Sequence, residues 1–230
     1  VTGVQTCALP ISRLFNKVHT GIDCPVKRAV SPEVICRLMT DRKPLPGKLA
    51  FSRDLFVLLF LLRGMPFVDL AFLRRCDLQG NVITYHRRKT SRKLTVVVGK
   101  EAMEIIQKYM YAIPDSPYLF PIIQNPGKDE YGQYARMLRL QNYRLTQVAN
   151  ILGIRDRLST YTARHTWATT ALRQNYNSSL ICDAMGHSSV KVTETYFQPY
   201  RDDEVNRMNS SLITYILSKK KRGTDKKIRS

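Results

Sequence analysis

Two arginines stand where an arginine needs a reason. Arg164 falls in the first turn of an expected helix in "TYTARHTWATTAL", whose Trp167, Ala168, Ala171 and Leu172 would face a core. Arg63 ends an apolar run just before "GMPF". An arginine beside such a face is solvated, ion-paired or kept for a ligand, and Asp54 or Asp69 could serve as the ion partner. Two of them in a chain of formal net charge +19 shift the balance toward phosphate, which a guanidinium holds through two parallel N–H bonds. Farther on, "AMGHSSVKVTETYFQPY" sets the pair Gly186-His187 nine residues ahead of Tyr196, so that a histidine and a phenol lie one short helix apart.

Other chemistries find little support. Asp and Glu total 18 and their pairs fall in loops or on solvated faces, so no carboxylate cluster for Mg²⁺ is expected and metal-dependent nucleases and polymerases are disfavoured. A G-x-x-x-x-G-K-[ST] phosphate loop is missing, which disfavours nucleotide-driven chemistry. Cys7, Cys24, Cys36, Cys76 and Cys182 are odd in number and lack ligand spacing, so they are expected to be reduced and structural. No metal and no cofactor is expected.

The positive charge favours a polyanionic partner, nucleic acid first and an anionic membrane second. The longest apolar run, Leu55 to Leu62, falls far short of the ~20 residues of a membrane span and reads as a buried helix.

The elements that would position these residues follow from local patterns. Ser31 and Pro32 start a helix. "KLAFSRDLFVLLFLLRG" is apolar on nearly every face beyond Asp54, as a central helix would be, and a short helix follows at Phe67 to Leu73. Val82 to His86 and Leu94 to Val98 change to strand period around a turn with five basic side chains, a hairpin with a cationic tip. "KEAMEIIQKYMYA" and "YGQYARMLRLQNYRLTQVANILG" return to helical spacing across a Pro-punctuated loop. Helices are expected at Tyr161 to Asn175, Ser178 to Met185, Lys191 to Tyr196 and Glu204 to Leu217. The architecture is mainly α with a small antiparallel β-sheet.

In this order and with these separations, "LLRG", "RRKTSRK", "ARHTWAT", "MGHSS" and "TETYF" resemble the catalytic domain of the tyrosine recombinases, the phage integrase family, and in particular the integrases of Bacteroidetes mobile elements and invertible regions. The resemblance runs from about Phe15 to Tyr200. It implies site-specific recombination of double-stranded DNA through a 3′-phosphotyrosyl link, without metal or ATP. Residue by residue it implies Tyr196 as nucleophile, Arg63 and Arg164 as clamps on the non-bridging oxygens, Lys89 as proton donor to the leaving 5′-oxygen, and His187 as a hydrogen-bond partner of the phosphate. Lys93 or Arg88 could stand in for Lys89. The family pattern is H-x-x-R, whereas Tyr161 stands three residues before Arg164 here, so Tyr161 is a further site candidate in place of the customary histidine. His165 is read as packing.

The resemblance also implies a homo-tetramer on synapsed sites, joined through the C-terminal helix, and a cytoplasmic, nucleoid-associated bacterial location with no membrane association. Residues 1–11 look like a translated sequencing adapter, and residues 1–12 are expected to be an artefactual leader. Residues 13–30 are read as a linker, the remnant of a missing N-terminal core-binding domain, 31–217 as the catalytic domain, and 218–230 as a disordered basic tail. Two other readings stay open at this level: a DNA-binding protein of the same fold that has lost strand transfer, and a type IB topoisomerase-like relaxing enzyme.

Overall fold

The computed structural model describes residues 28–190, 193 and 206–214. The leader, residues 13–27 of the linker, Tyr196, the tail, and the helix expected at Lys191 to Tyr196 apart from Thr193 lie outside the described residues.

The elements run α1 (Pro32–Thr40), α2 (Gly47–Leu61), α3 (Phe67–Ala71), β1 (Leu78–Gln79), β2 (Val82–His86), β3 (Lys93–Val97), α4 (Lys100–Tyr109), α5 (Glu130–Leu152), α6 (Thr160–Arg173) and α7 (Ser178–Met185). Helix α2 is the axis of the core. Its Leu55, Phe56, Leu58 and Leu59 are wholly buried because α1, α4, α5 and α6 all pack against it. An all-round apolar helix is stable only when enclosed in this way.

The polar groups of α2 are enclosed as well. Asp54 accepts Lys108 Nζ and Tyr109 Oη, each at 2.7 Å, and Arg53 at 3.0 Å. Burial pushes its carboxyl up, but these donors outweigh burial and hold it below the usual range. The Ser52 carbonyl accepts Gln141 Nε2 at 2.8 Å, tying α2 to the 23-residue α5. Upstream of α1, Val30 belongs to the core, and its N–H donates to Thr166 Oγ1 at 3.0 Å.

The sheet is antiparallel in the order β1-β2-β3. Ile83 pairs with Val96 and Tyr85 with Leu94, and all four point into the core, so the hairpin has one dry face and one wet one. Strand β1 was not expected; it has only two residues, too few to show a period. Helix α3 ends at Ala71 rather than Leu73, because the Leu73 carbonyl is drawn out to accept the Leu119 N–H at 2.8 Å.

The chain divides after Phe197 into two compact units. In the second unit residues 206–214 are helical, with Met208, Leu212 and Ile213 exposed.

Candidate active site

Helix α6 begins with a capping box. Ser159 Oγ accepts the Thr162 N–H at 3.2 Å, and Thr162 Oγ1 accepts the Ser159 N–H at 3.1 Å. That start puts Tyr161 and Arg164, three residues apart, on one face of the helix. Arg164 is 2% exposed. Its Nη1 donates to the Gly64 carbonyl at 2.6 Å, and its Nη2 donates to the Met185 carbonyl at 3.0 Å and to His187 Nε2. The first of these bonds requires a glycine, since a Cβ at position 64 would lie 3.0 Å from Arg164 Cα, and the backbone there has φ +66°.

His187 is placed by the end of α7. Gly186 takes φ +64°, its N–H donates to the Asp183 carbonyl, and the His187 N–H donates to the Cys182 carbonyl, the paired bonds of a Schellman motif. A side chain at Gly186 would meet Leu94 Cδ1 at 2.8 Å and Arg87 Cδ at 3.1 Å. Gly186→Ala is therefore expected to lower stability by about 1–3 kcal/mol through backbone strain, read as a drop in the urea midpoint.

A guanidinium can only donate, so His187 Nε2 accepts from Arg164, and Nδ1 carries the proton that goes to Thr193 Oγ1 at 2.7 Å. Burial pushes the His187 pKa down to about 3, with Arg164, Arg87 and Lys89 adding to the effect. The ring is thus a neutral acceptor that orients Arg164. Because the unfolded chain protonates near pH ~6.5 and the folded chain does not, stability falls as pH drops from about 6.5 toward 3, by at most ~1.4 kcal/mol per pH unit. Urea titrations at stepped pH should show this acid limb, and His187→Gln should lose it.

Lys89 sits at the tip of the β2–β3 hairpin. The turn is closed by the Arg87 N–H on the Arg92 carbonyl at 2.9 Å and the Ser91 N–H on the Arg87 carbonyl at 2.7 Å, with Ser91 left-handed at φ +54°. The Arg88 guanidinium lies over the Phe72 ring, 3.8 Å from its centroid, which turns that cation toward α3.

A cleft of about 220 Å³ is lined by Lys89, Tyr161, Arg164 and His187, together with Asp69 and Arg87. Four of the six expected site residues, from three distant segments, thus share one surface. Arg63 does not share it. Left-handed at φ +59°, Arg63 gives Nη1 to the Thr95 carbonyl at 3.2 Å and lines a separate cavity with Trp167 and Tyr176. Tyr196 lies outside the described residues. Tyr161 is half exposed, with its ring 5.0 Å from that of buried His165.

The ion partners considered for the two arginines have other bonds. Asp54 is held as described above. Asp69 accepts the Arg88 N–H at 3.0 Å and faces Arg87 Nε at 3.7 Å. Its carboxyl is pushed up by burial, against the pull of that amide and of Arg87. Arg87 and Thr193 are the site residues that sequence reading missed. One is hidden among five turn cations and the other is an unremarked threonine, although a Thr-x-x-Tyr spacing toward Tyr196 is visible in "TETY".

A mainly helical domain with a three-stranded antiparallel sheet, its hairpin tip and two helix ends meeting at a cationic cleft, has the fold of the tyrosine recombinases. Residues 29–202 match the phage integrase family, and the chain belongs to that family. It is 26% identical over 167 residues to tyrosine recombinase XerC of Thermodesulfovibrio yellowstonii, a match covering 66% of this chain and 52% of that protein. The chain therefore spans about half the length of this curated relative.

Among solved structures, XerA recombinase aligns at TM-score 0.57 with 20% identity, covering 80% of this chain and 64% of that one. The Tn1549 transposon integrase in complex with transposon right end DNA aligns at 0.60 with 13% identity, covering 90% and 71%. XerH site-specific recombinase bound to difH substrate aligns at 0.58 with 14% identity, covering 80% and 54%.

Proposed function

We propose that this chain breaks and rejoins double-stranded DNA at specific sites, through a 3′-phosphotyrosyl intermediate on Tyr196 and without metal or ATP. The observation that carries this reading is the meeting of Lys89, Arg164, His187 and Tyr161 in one cleft, in a chain of net charge +19. The Tyr196 hydroxyl releases its proton to solvent as its oxygen attacks the scissile phosphorus, the bond to the 5′-oxygen breaks, and the Lys89 ammonium supplies that oxygen with its proton. Arg164, already oriented by His187, meets the charge that grows on the non-bridging oxygens. The phosphotyrosyl bond conserves the energy of the phosphodiester, so a 5′-hydroxyl from another strand reverses the step.

Tyr161 stands on the exposed lip of the cleft, where its hydroxyl can donate a hydrogen bond to the phosphate. For Arg63 to join Arg164 there, its guanidinium has to leave the Thr95 carbonyl. Synapsis in a homo-tetramer uses the C-terminal segment, a reading supported by exposed Met208, Leu212 and Ile213 on its helical stretch. No described helix is long and apolar enough to cross a membrane. The net charge of +19 and the family membership support a place on the bacterial nucleoid.

The test is incubation of the chain with labelled duplex selected from a randomised pool by binding, in EDTA and without nucleotide, followed by denaturing electrophoresis. A protein-linked DNA band is expected. Salt-sensitive binding with no linked band, or a band that needs Mg²⁺, would overturn the reading.

A further inference from the structure

We propose that Arg87 is the positioning residue of the cleft, holding the Lys89 turn against the His187 turn so that the Lys89 ammonium stands at the leaving oxygen. The inference rests on the role of Lys89 given above and concerns what sets that role up. Lys89 belongs to a hairpin tip and His187 to the end of a helix nearly a hundred residues on, so their juxtaposition needs a tie. Arg87 supplies it: its Nη1 donates to the Met185 carbonyl at 3.1 Å and to the Gly186 carbonyl at 2.8 Å. These are the last carbonyls before His187, and the first is the one that Arg164 Nη2 also holds.

The other ties across this seam are weaker. Thr90 Oγ1 reaches the Gly186 carbonyl at 3.3 Å, and Arg92 Nη1 reaches the His187 carbonyl at 3.3 Å. The Arg92–Asp183 ion pair lies in solvent on both sides, where such pairs contribute little. Arg87, by contrast, is buried, as is Asp69, whose carboxylate faces its Nε and takes the Arg88 N–H. Asp69 thus grips the turn from the α3 side while Arg87 grips α7. Removing the Arg87 guanidinium leaves Lys89 in place along the chain but its turn free to lift from the His187 side.

The chemistry supplies a test that a general packing role would not pass. In the cleavage step the Tyr196 hydroxyl gives its proton to solvent as its oxygen bonds to phosphorus, the P–O5′ bond breaks, and the proton on O5′ comes from Lys89, which is left as the neutral amine. When sulfur replaces that bridging oxygen, the group leaves as a thiolate and needs no proton. Single-turnover cleavage is measured on the selected duplex with oxygen or sulfur at the cleaved step. Because the ratio of the two rates is taken within each variant, the folded fraction cancels.

On the oxygen substrate Arg87→Gln is expected to slow cleavage roughly 10- to 100-fold and Lys89→Ala about 10²- to 10⁴-fold, the range for losing general acid catalysis. On the sulfur substrate both should return to within several-fold of the unsubstituted chain, and Arg87→Lys should lie between. Arg87→Gln slow on both substrates while Lys89→Ala is rescued would overturn the positioning role. Lys89→Ala slow on both would instead remove the reading of Lys89 beneath it. Amide exchange gives a second readout free of catalysis: Arg87→Gln should speed exchange at 88–92 and 186–188 and leave α2 unchanged, and unchanged exchange at both turns would equally overturn the proposal.

Discussion

Tyr196→Phe should abolish the covalent protein–DNA species, a loss of roughly four orders of magnitude or more, as when a sole nucleophile is removed. Duplex affinity should stay nearly the same, because the exchange removes one hydroxyl and no charge, and phosphate contacts by Lys and Arg dominate binding. The two readouts are a denaturing gel and a filter-binding titration on the same sample. This pairing separates a recombinase from a DNA-binding relative that has given up strand transfer, since the latter would bind and never link. Tyr161→Phe is the informative companion: a partial loss would show that its hydroxyl acts where the family has a histidine, and a linked band would show that it is not the nucleophile.

The second large effect is expected at Arg164. Arg164→Lys keeps the charge but cannot reach the Gly64 carbonyl, the Met185 carbonyl and His187 at once. The Met185 carbonyl still has Arg87, but the Gly64 carbonyl is stranded, at a cost of about 1–3 kcal/mol. Cleavage by the molecules that remain folded should fall about 10²- to 10³-fold, the range for losing one donor to a transition-state oxyanion. Urea unfolding gives the first quantity and single-turnover cleavage at low temperature the second. A variant that lost stability alone would make Arg164 a core residue rather than a phosphate ligand.

Much of this layout was legible in the chain where the signals are local. Helix α7 runs from Ser178 to Met185 as expected because Asn177 caps one end, its side chain accepting the Ser179 N–H, and Gly186 closes the other. Both are residue types whose conformational preferences act over a single turn. Helix α2 was legible for another reason, its unbroken apolar surface. Motif order singled out Lys89, Tyr161, Arg164 and His187, and these four line one cleft.

What was hidden depends on where long side chains turn. Five basic residues crowd the hairpin tip, and sequence alone cannot say that Arg87 folds inward to α7, that Arg88 lies over Phe72, or that Lys89 faces the cleft. Arg63 illustrates the same point from the other side. Its place in the motif suggests the phosphate, yet a left-handed backbone at positions 63 and 64 sends the guanidinium to the Thr95 carbonyl. Of the ion partners considered for the arginines, Asp54 takes Lys108, Tyr109 and Arg53, and Asp69 takes the Arg88 amide beside Arg87 while also feeling the charge of Arg164. Partners far apart along a chain are set by packing, which leaves no local trace.

Peptide mapping of the protein–DNA adduct tests the central claim most directly. The chain carries 12 tyrosines, and the adduct formed in EDTA is digested with protease and nuclease and sequenced by mass spectrometry. A nucleotide mass on the peptide containing Tyr196, linked through the DNA 3′-phosphate, is the expected result. Linkage at any other residue, Tyr161 included, or bound duplex recovered with no linkage at all, would contradict it.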